Sequence, residues 1–267
     1  MNVTFDANTI RRTVLPDVFS KDPHHAAFVK IHRALASGRL RGFISETIIT
    51  LEGIRREDRA AVFAGTRLRS TVREELAENG QRVIAIKTLV EQPDRQPLRP
   101  KAAEPVVAAL ALGVRLLGAP RVGGIRVEDS DGRVYATDTN LADRLEKYHG
   151  ALRAIEGRGL GRQQLRALGE EFARRYNLGT DWLRGLEHAS DVHEENRVIR
   201  AVAEWSDADS VAAHIGYGID TFCSEDYGRG AGGPSVLDPA NRAWLTQTFG
   251  VRFTTLIELA DMLDAPG

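Results

Sequence analysis

The feature that most constrains this chain is a short apolar strand running into an aspartate, present near both of its ends. MNVTFDANTI carries Val3 to Phe5 straight into Asp6, and DADSVAAHIGYGIDTFCSEDYG carries Ile219 to Cys223 towards Asp226. Helical spacing neighbours each strand, and strand–helix alternation implies a mostly parallel sheet covered by helices. In such a sheet, ligands bind outside the carboxyl ends of the strands. Two carboxylates delivered there from opposite ends of the chain predict a shared acidic crevice. At neutral pH that crevice needs cations, so a divalent metal site is expected.

With 267 residues, the chain can bury a sizeable core without disulfides or a structural metal. Hydrophobic content of 42% and charged content of 27% are those of an ordinary soluble globular protein. No basic segment followed by an apolar run opens the sequence, so no secretory signal is expected. The longest apolar stretch, Val106 to Leu117, is interrupted by Arg115 and is too short to cross a bilayer, so no membrane partner is expected. A single cysteine, Cys223, excludes an internal disulfide framework and fits a reducing cytoplasm; its strand context reads as a small buried hydrophobe. The net charge of -1 gives no global sign of nucleic-acid binding. Arginine far exceeds lysine, which suits phosphate recognition but equally suits a GC-rich genome, so the bias decides nothing.

Beyond the first strand, helical spacing resumes after Pro23, Gly42 to Ser45 reads as a second strand, and Glu46 to Arg56 as a helix burying Ile48, Ile49, Leu51 and Ile54. At the far end, Ser206 is predicted to cap a helix from Asp207 to about Ile215, stopped by Gly216 and Gly218. A helix over Ala240 to Phe249, a strand over Val251 to Thr254 and a helix over Leu256 to Leu263 close the pattern. In the middle, the proline-rich run from Gln92 to Pro105 reads as a linker or surface loop. Val114 to Leu117 reads as a further core strand, and Ile125 to Thr137 as a β-hairpin turning at Asp131-Gly132. Leu141 to Trp205 is helical and highly charged. The expected organisation is one discontinuous core, 1–56 and 200–267, with 57–199 holding the third strand, helices and an insertion of unassigned role.

Each candidate acid has a plain structural explanation when taken alone. Asp6, followed by Asn8 and Thr9, suits an Asx turn or a helix N-cap. Asp209 suits the first turn of the helix expected from Asp207, where an acid favours the macrodipole. Asp226 suits a turn before the glycine-rich 228–233 loop, which lacks the Gly-Lys-Ser/Thr ending of a phosphate-binding loop. The order of the motifs is more specific. VTFDANTI, DSVAAHIGYGIDTFCSED and the tail WLTQTFGVRFTTLIELADML together resemble the PIN-domain family of metal-dependent nucleases. That family also has a glutamate on the helix after its second strand, which ISETIITLEGI supplies as Glu52, with Glu46 an alternative one register earlier. The resemblance covers Met1 to Arg56 and Trp205 to Leu263; the long interval between Glu52 and Asp209 departs from compact members.

The resemblance implies a three-layer α/β/α fold in which Asp6, Glu52, Asp209 and Asp226 meet at the strand ends. It also implies a ribonuclease using Mg²⁺ or Mn²⁺, either the toxin of a toxin–antitoxin pair with an inhibitory protein partner or an RNA-processing enzyme, and a homo-oligomer is compatible with it. Physical chemistry points the same way, because four carboxylates in one pocket cannot all ionise uncompensated, and hard oxygen ligands suit Mg²⁺ or Mn²⁺. Asn8 and Ser224 are expected to orient carboxylates, and Asp207 replaces Asp209 if the helix starts later. Arg55, Arg56 and Arg59 follow Glu52 and are candidates for a phosphate path. Two further readings stay open. One is an inactive PIN-like scaffold binding RNA or protein. The other is an aspartyl-phosphate phosphatase using the DANT segment, although that motif wants an acid where Asn8 stands.

Overall fold

A computed structural model describes residues 1–64, 67–76, 82–91, 100–119, 129–137, 139–179, 181–229 and 233–264. Strands β1 (Asn2–Phe5), β2 (Arg41–Ser45), β5 (Arg115–Leu117), β6 (Thr221–Cys223) and β7 (Arg252–Thr254) form one sheet in the order β5-β2-β1-β6-β7. Every pairing in it is parallel, with Val3 opposite both Gly42 and Thr221. Strands β3 (Arg67–Leu76) and β4 (Arg82–Glu91) pair antiparallel as a separate ribbon.

Helices cover both faces because the strand side chains alternate between two apolar cores. Val3, Phe5, Ile44, Leu116 and Cys223 face one core. It is completed by α1 (Ala7–Val14), α2 (His25–Ala36), α5 (Pro100–Ala111) and α11 (Leu256–Met262). Phe43 and Leu117 point the other way, to α4 (Arg59–Ala64), α6 (Leu141–Gly157), α7 (Arg162–Arg175) and α9 (Val192–Tyr217). Phe222 lies on that side too, packed with Val211 and with Leu245 of α10 (Pro239–Phe249). The fold is therefore α/β with a parallel central sheet, as the strand–helix alternation at the two ends predicts.

Four local expectations change. The helix expected over Glu46–Arg56 is a single turn, α3 (Thr47–Thr50). Its threonines divert their hydroxyls, Thr50 to Glu46 O and Thr47 to Ser45 Oγ, and Gly53 adds a helix-weakening residue just beyond. The helix expected from Asp207 instead begins at Val192, because Asp191 caps it by accepting from His193 N and Glu194 N. It runs through Gly216 and ends at Gly218, whose left-handed backbone (φ 63°) makes the C-cap. The linker expected over Gln92–Pro105 gives way from Pro100 to α5, with Pro105 inside it, while 92–99 lie outside the described residues. The hairpin expected over Ile125–Thr137 falls partly outside them as well, at 125–128. Its remaining part is a loop wound round Asp129, which accepts from the backbone N–H groups of Arg133, Val134 and Tyr135.

α7 meets α8 (Trp182–Gly185) through glycines: a Cβ on Gly185 would lie 2.0 Å from Gly169 O and 2.9 Å from Ala173 N. Both obstacles are backbone, so relief requires the helices to separate. Gly185→Ala is expected to lower stability by about 3 kcal/mol, read as a fall in the urea midpoint at constant m. Gly150→Ala, in α6 with open space around its Cβ position, is expected to raise the midpoint by up to about 1 kcal/mol.

Candidate active site

The chain builds outward from β1 through β2 to β5, then returns to the opposite side of β1 for β6 and β7. The sheet order therefore reverses between β1 and β6, where open parallel sheets bind ligands beyond their carboxyl ends. Asp6 leaves β1 at that point, and its backbone N–H donates to Cys223 O at 3.0 Å. Its Oδ1 accepts from Ala7 N at 2.8 Å, capping α1. Its Oδ2 accepts from Asn8 Nδ2 and from Ser224 Oγ, each at 2.6 Å. Thr9 Oγ1 donates to both Asp6 O and Cys223 O, and Asn8 Oδ1 accepts from Glu225 N. Asn8 and Ser224 thus orient Asp6 while fastening the two strand ends together. Even so, burial holds the Asp6 carboxyl above the ordinary aspartate value, outweighing these hydrogen bonds, and the charge of Asp226 adds to the rise.

Glu52 and Asp207 complete the acidic centre. Ser206 Oγ donates to Glu52 Oε1 at 2.9 Å, tying the turn after α3 to the middle of α9. Burial and then the charge of Asp6 push the Glu52 carboxyl up to about 7, partly offset by Ser206 and Arg59. The Asp207 carboxyl is raised well above the ordinary aspartate range, by burial first and then by Asp6, Glu52, Glu204 and Asp226. Asp226 is exposed on the loop after β6, where its Oδ1 accepts from Gly228 N and its backbone N donates to Ser224 Oγ. The structure thus brings Asp6, Glu52 and Asp207 into mutual repulsion, with Asp226 at the margin.

Asp209 is placed elsewhere. It is fully buried on another face of α9 and accepts from Tyr148 OH at 3.3 Å and Trp205 Nε1 at 3.2 Å. The early start of α9 is the reason: Asp209 lies deep within a long helix rather than in its first turn, so Asp207 is the residue that faces Asp6. Glu46 also turns away, towards the end of β5, where its Oε1 accepts from Ala119 N. Two contributors escaped the sequence reading. Glu204, one turn before Asp207, is buried and accepts from Val236 N, and i,i+3 spacing was the signal for its shared face. Arg242 on α10 is buried against Tyr227 and Phe253, and its guanidinium donates to the carbonyls of Ser224, Asp226 and Leu237. No local motif marks it.

The donor chemistry of Asp6, Glu52, Asp207 and Asp226 suits a hard divalent cation, since all are carboxylates whose repulsion a cation relieves. Among the described residues, no three Asp, Glu, His or Cys side chains stand together as a ready-made metal centre. Beside Glu52 opens a cavity of about 460 Å³ lined by Arg59, His193, Asn196 and Arg200, giving the acidic centre a basic flank.

Buried His214, whose Nδ1 lies 2.9 Å from Thr4 Oγ1, is pushed down by burial to about 4. An unfolded histidine protonates below its ordinary value of 6.5, so His214 costs stability as pH falls from 6.5 to 4, by about 3 kcal/mol. Glu52 acts oppositely: it titrates near 7 when folded and at 4.5 when unfolded, so acidification through that window adds stability. The carboxyls of Asp6, Asp207 and Glu204, which are also raised, act in the same direction as Glu52. Glu52→Gln is expected to remove the Glu52 share of that gain, so the urea midpoint rises less, or falls more, between about pH 7 and 4.5 than in the intact protein. Mn²⁺ is expected to raise the melting temperature more at about pH 8 than at about pH 5.5, where protons already relieve the repulsion.

Compared with family models, curated proteins and solved structures, the chain matches none.

Proposed function

We propose that this protein is a PIN-like ribonuclease that hydrolyses RNA phosphodiester bonds with the help of Mg²⁺ or Mn²⁺. One observation carries the reading: Asp6, Glu52 and Asp207 repel one another beyond the point where the parallel sheet reverses its order, with the charge of Arg59 offsetting only part of the rise at Glu52. Asp6, Asp207 and Asp226 are the residues to hold the cation, with Glu52 beside them. When bound, such a cation neutralises charge on the phosphoryl and leaving oxygens and lowers the pKa of water.

The chain's own groups have distinct tasks. Ser206 fixes one oxygen of Glu52, leaving Oε2 to accept the proton of an attacking water. A glutamate carboxylate within reach of that water can serve as its general base. Asn8, Ser224 and the start of α1 hold Asp6 in one rotamer, so its direction does not depend on the substrate. Arg59 and Arg200 line the adjoining cavity and supply positive charge to an RNA backbone. Both oxygens of Asp6 accept hydrogen bonds, and Asn8 stands where a phosphatase wants an acid; this favours a positioning carboxylate over a phosphoryl-accepting nucleophile.

Cleavage of end-labelled single-stranded RNA in Mn²⁺ tests the proposal. Asp6→Asn and Asp207→Asn are each expected to lower the rate by about 10³-fold or more, with unchanged circular dichroism. Asp209→Asn is expected to keep the rate within about threefold while lowering the melting temperature, because it weakens a buried acceptor of Tyr148 and Trp205. Undiminished cleavage by Asp6→Asn would overturn the proposal.

A further inference from the structure

The loop that follows β6 carries an exposed aromatic ring next to the acidic centre. Tyr227 comes directly after Asp226 and is 37% exposed, although its loop is tightly held. Asp226 Oδ1 accepts from Gly228 N at 2.7 Å, and Gly228 has a left-handed backbone (φ 70°) where a Cβ would lie 2.7 Å from Ser235 Cβ. Arg242, buried on α10, grips the same loop through the carbonyls of Ser224 and Asp226 and sets its guanidinium 4.5 Å from the Tyr227 ring centre. The contacts that hold this buried cation are carbonyls and the rings of Tyr227 and Phe253. The charges of Asp6 and Asp226 also act on Arg242, so the ring it supports borders the acidic centre. Arg229, two residues beyond Tyr227 and itself exposed, stands 5.9 Å from the same ring centre.

Single exposed apolar side chains are ordinary on a protein surface. This one differs in being braced from within by a buried guanidinium and in adjoining a cluster of carboxylates. The brace fixes the ring before anything binds, so a flat partner meets it without the cost of ordering it. We propose that Tyr227 is a stacking platform for a nucleobase of single-stranded RNA, at the nucleotide flanking the phosphate that meets the acidic centre. Arg229 is placed to meet the phosphate attached to the stacked base. Every base has a π face, so the platform accepts purines and pyrimidines alike, and it favours unpaired strands, whose bases can be splayed onto it at low cost. This inference deepens the ribonuclease reading and rests on it for the identity of the ligand as RNA.

Fluorescence anisotropy of labelled oligouridylate, with Ca²⁺ in place of Mn²⁺, tests it by binding rather than by cleavage. Tyr227→Ala is expected to weaken binding about tenfold with unchanged circular dichroism, while Tyr227→Phe and Tyr227→Trp stay within about twofold of the intact chain. The advantage of oligouridylate over an abasic strand of equal length is expected to fall about tenfold on Tyr227→Ala, because base and ring act as one pair. Tyr227→Trp adds an indole whose fluorescence oligouridylate is expected to quench, beyond any change in the intact chain, and the abasic strand to leave bright. Three results would overturn the platform: equal binding of the two strands by the intact chain, equal affinity of the intact chain and Tyr227→Ala for oligouridylate, or Tyr227→Phe binding as weakly as Tyr227→Ala. Base-dependent binding without RNA cleavage in Mn²⁺ would remove the nuclease reading and leave the platform; cleavage with an unchanged KM in Tyr227→Ala would remove the platform alone.

Discussion

The hydrogen bonds that hold Asp6 between β1 and β6 are the constraint on which the rest of the molecule depends. Ala7 N, Asn8 and Ser224 converge on one carboxyl, while Thr9 and Asn8 bind the backbone of the neighbouring strand end. Strands from opposite ends of the chain are thereby joined side by side at the point where the sheet order reverses. The same arrangement buries an acid beside two others, and burial outweighs every favourable hydrogen bond in setting its protonation. The centre is left short of positive charge, so its carboxyls hold their protons above the ordinary range. That is a stability cost at high pH and an attraction for cations at the same time.

Helix α9 distributes these demands over its faces. Ser206 and Ser210 face the segment after β2, meeting Glu52 and Thr47. Glu204 and Asp207 face the acidic centre and the loop before α10. Trp205 packs on Phe63 of α4, Asp209 meets Tyr148 of α6, and His214, seven residues beyond Asp207, reaches Thr4 on β1. A helix so fully engaged cannot rotate without breaking several buried contacts together, so the position of Asp207 is fixed by packing far from any substrate.

The alternation of strand and helix at both chain ends was legible because it rests on local periodicity and on Gly and Pro punctuation. β1, β2, β6, β7 and α10 fall within a residue or two of where these signals put them. Asp6, Asn8, Ser224 and Glu52 were legible as parts of short motifs adjoining those strands. The choice between Asp207 and Asp209 was not, because it depends on where α9 begins, fifteen residues upstream at the Asp191 cap. Serine followed by acids imitates a helix start, and only the packing of Val198, Ala201 and Val202 reveals that the helix is already under way. Arg242 was hidden for a related reason: its partners are backbone carbonyls, which leave no trace in side-chain sequence.

The displaced acid also ties a buried tyrosine to the same scaffold. Asp209 sits behind Tyr148 and accepts its hydroxyl proton, and Tyr148 in turn lines a second cavity, shared with Glu46. Burying an aspartate completely is costly unless its oxygens are well bonded, so its two aromatic donors are needed to keep it there. The consequence is a rigid tyrosine wall, held from the same helix that carries Asp207 two residues earlier. A shift of α9 along its axis would therefore move the acidic centre and the tyrosine wall together. Spacing between the tyrosine wall and the acidic centre is thus set by the length of one helical segment rather than by a flexible loop.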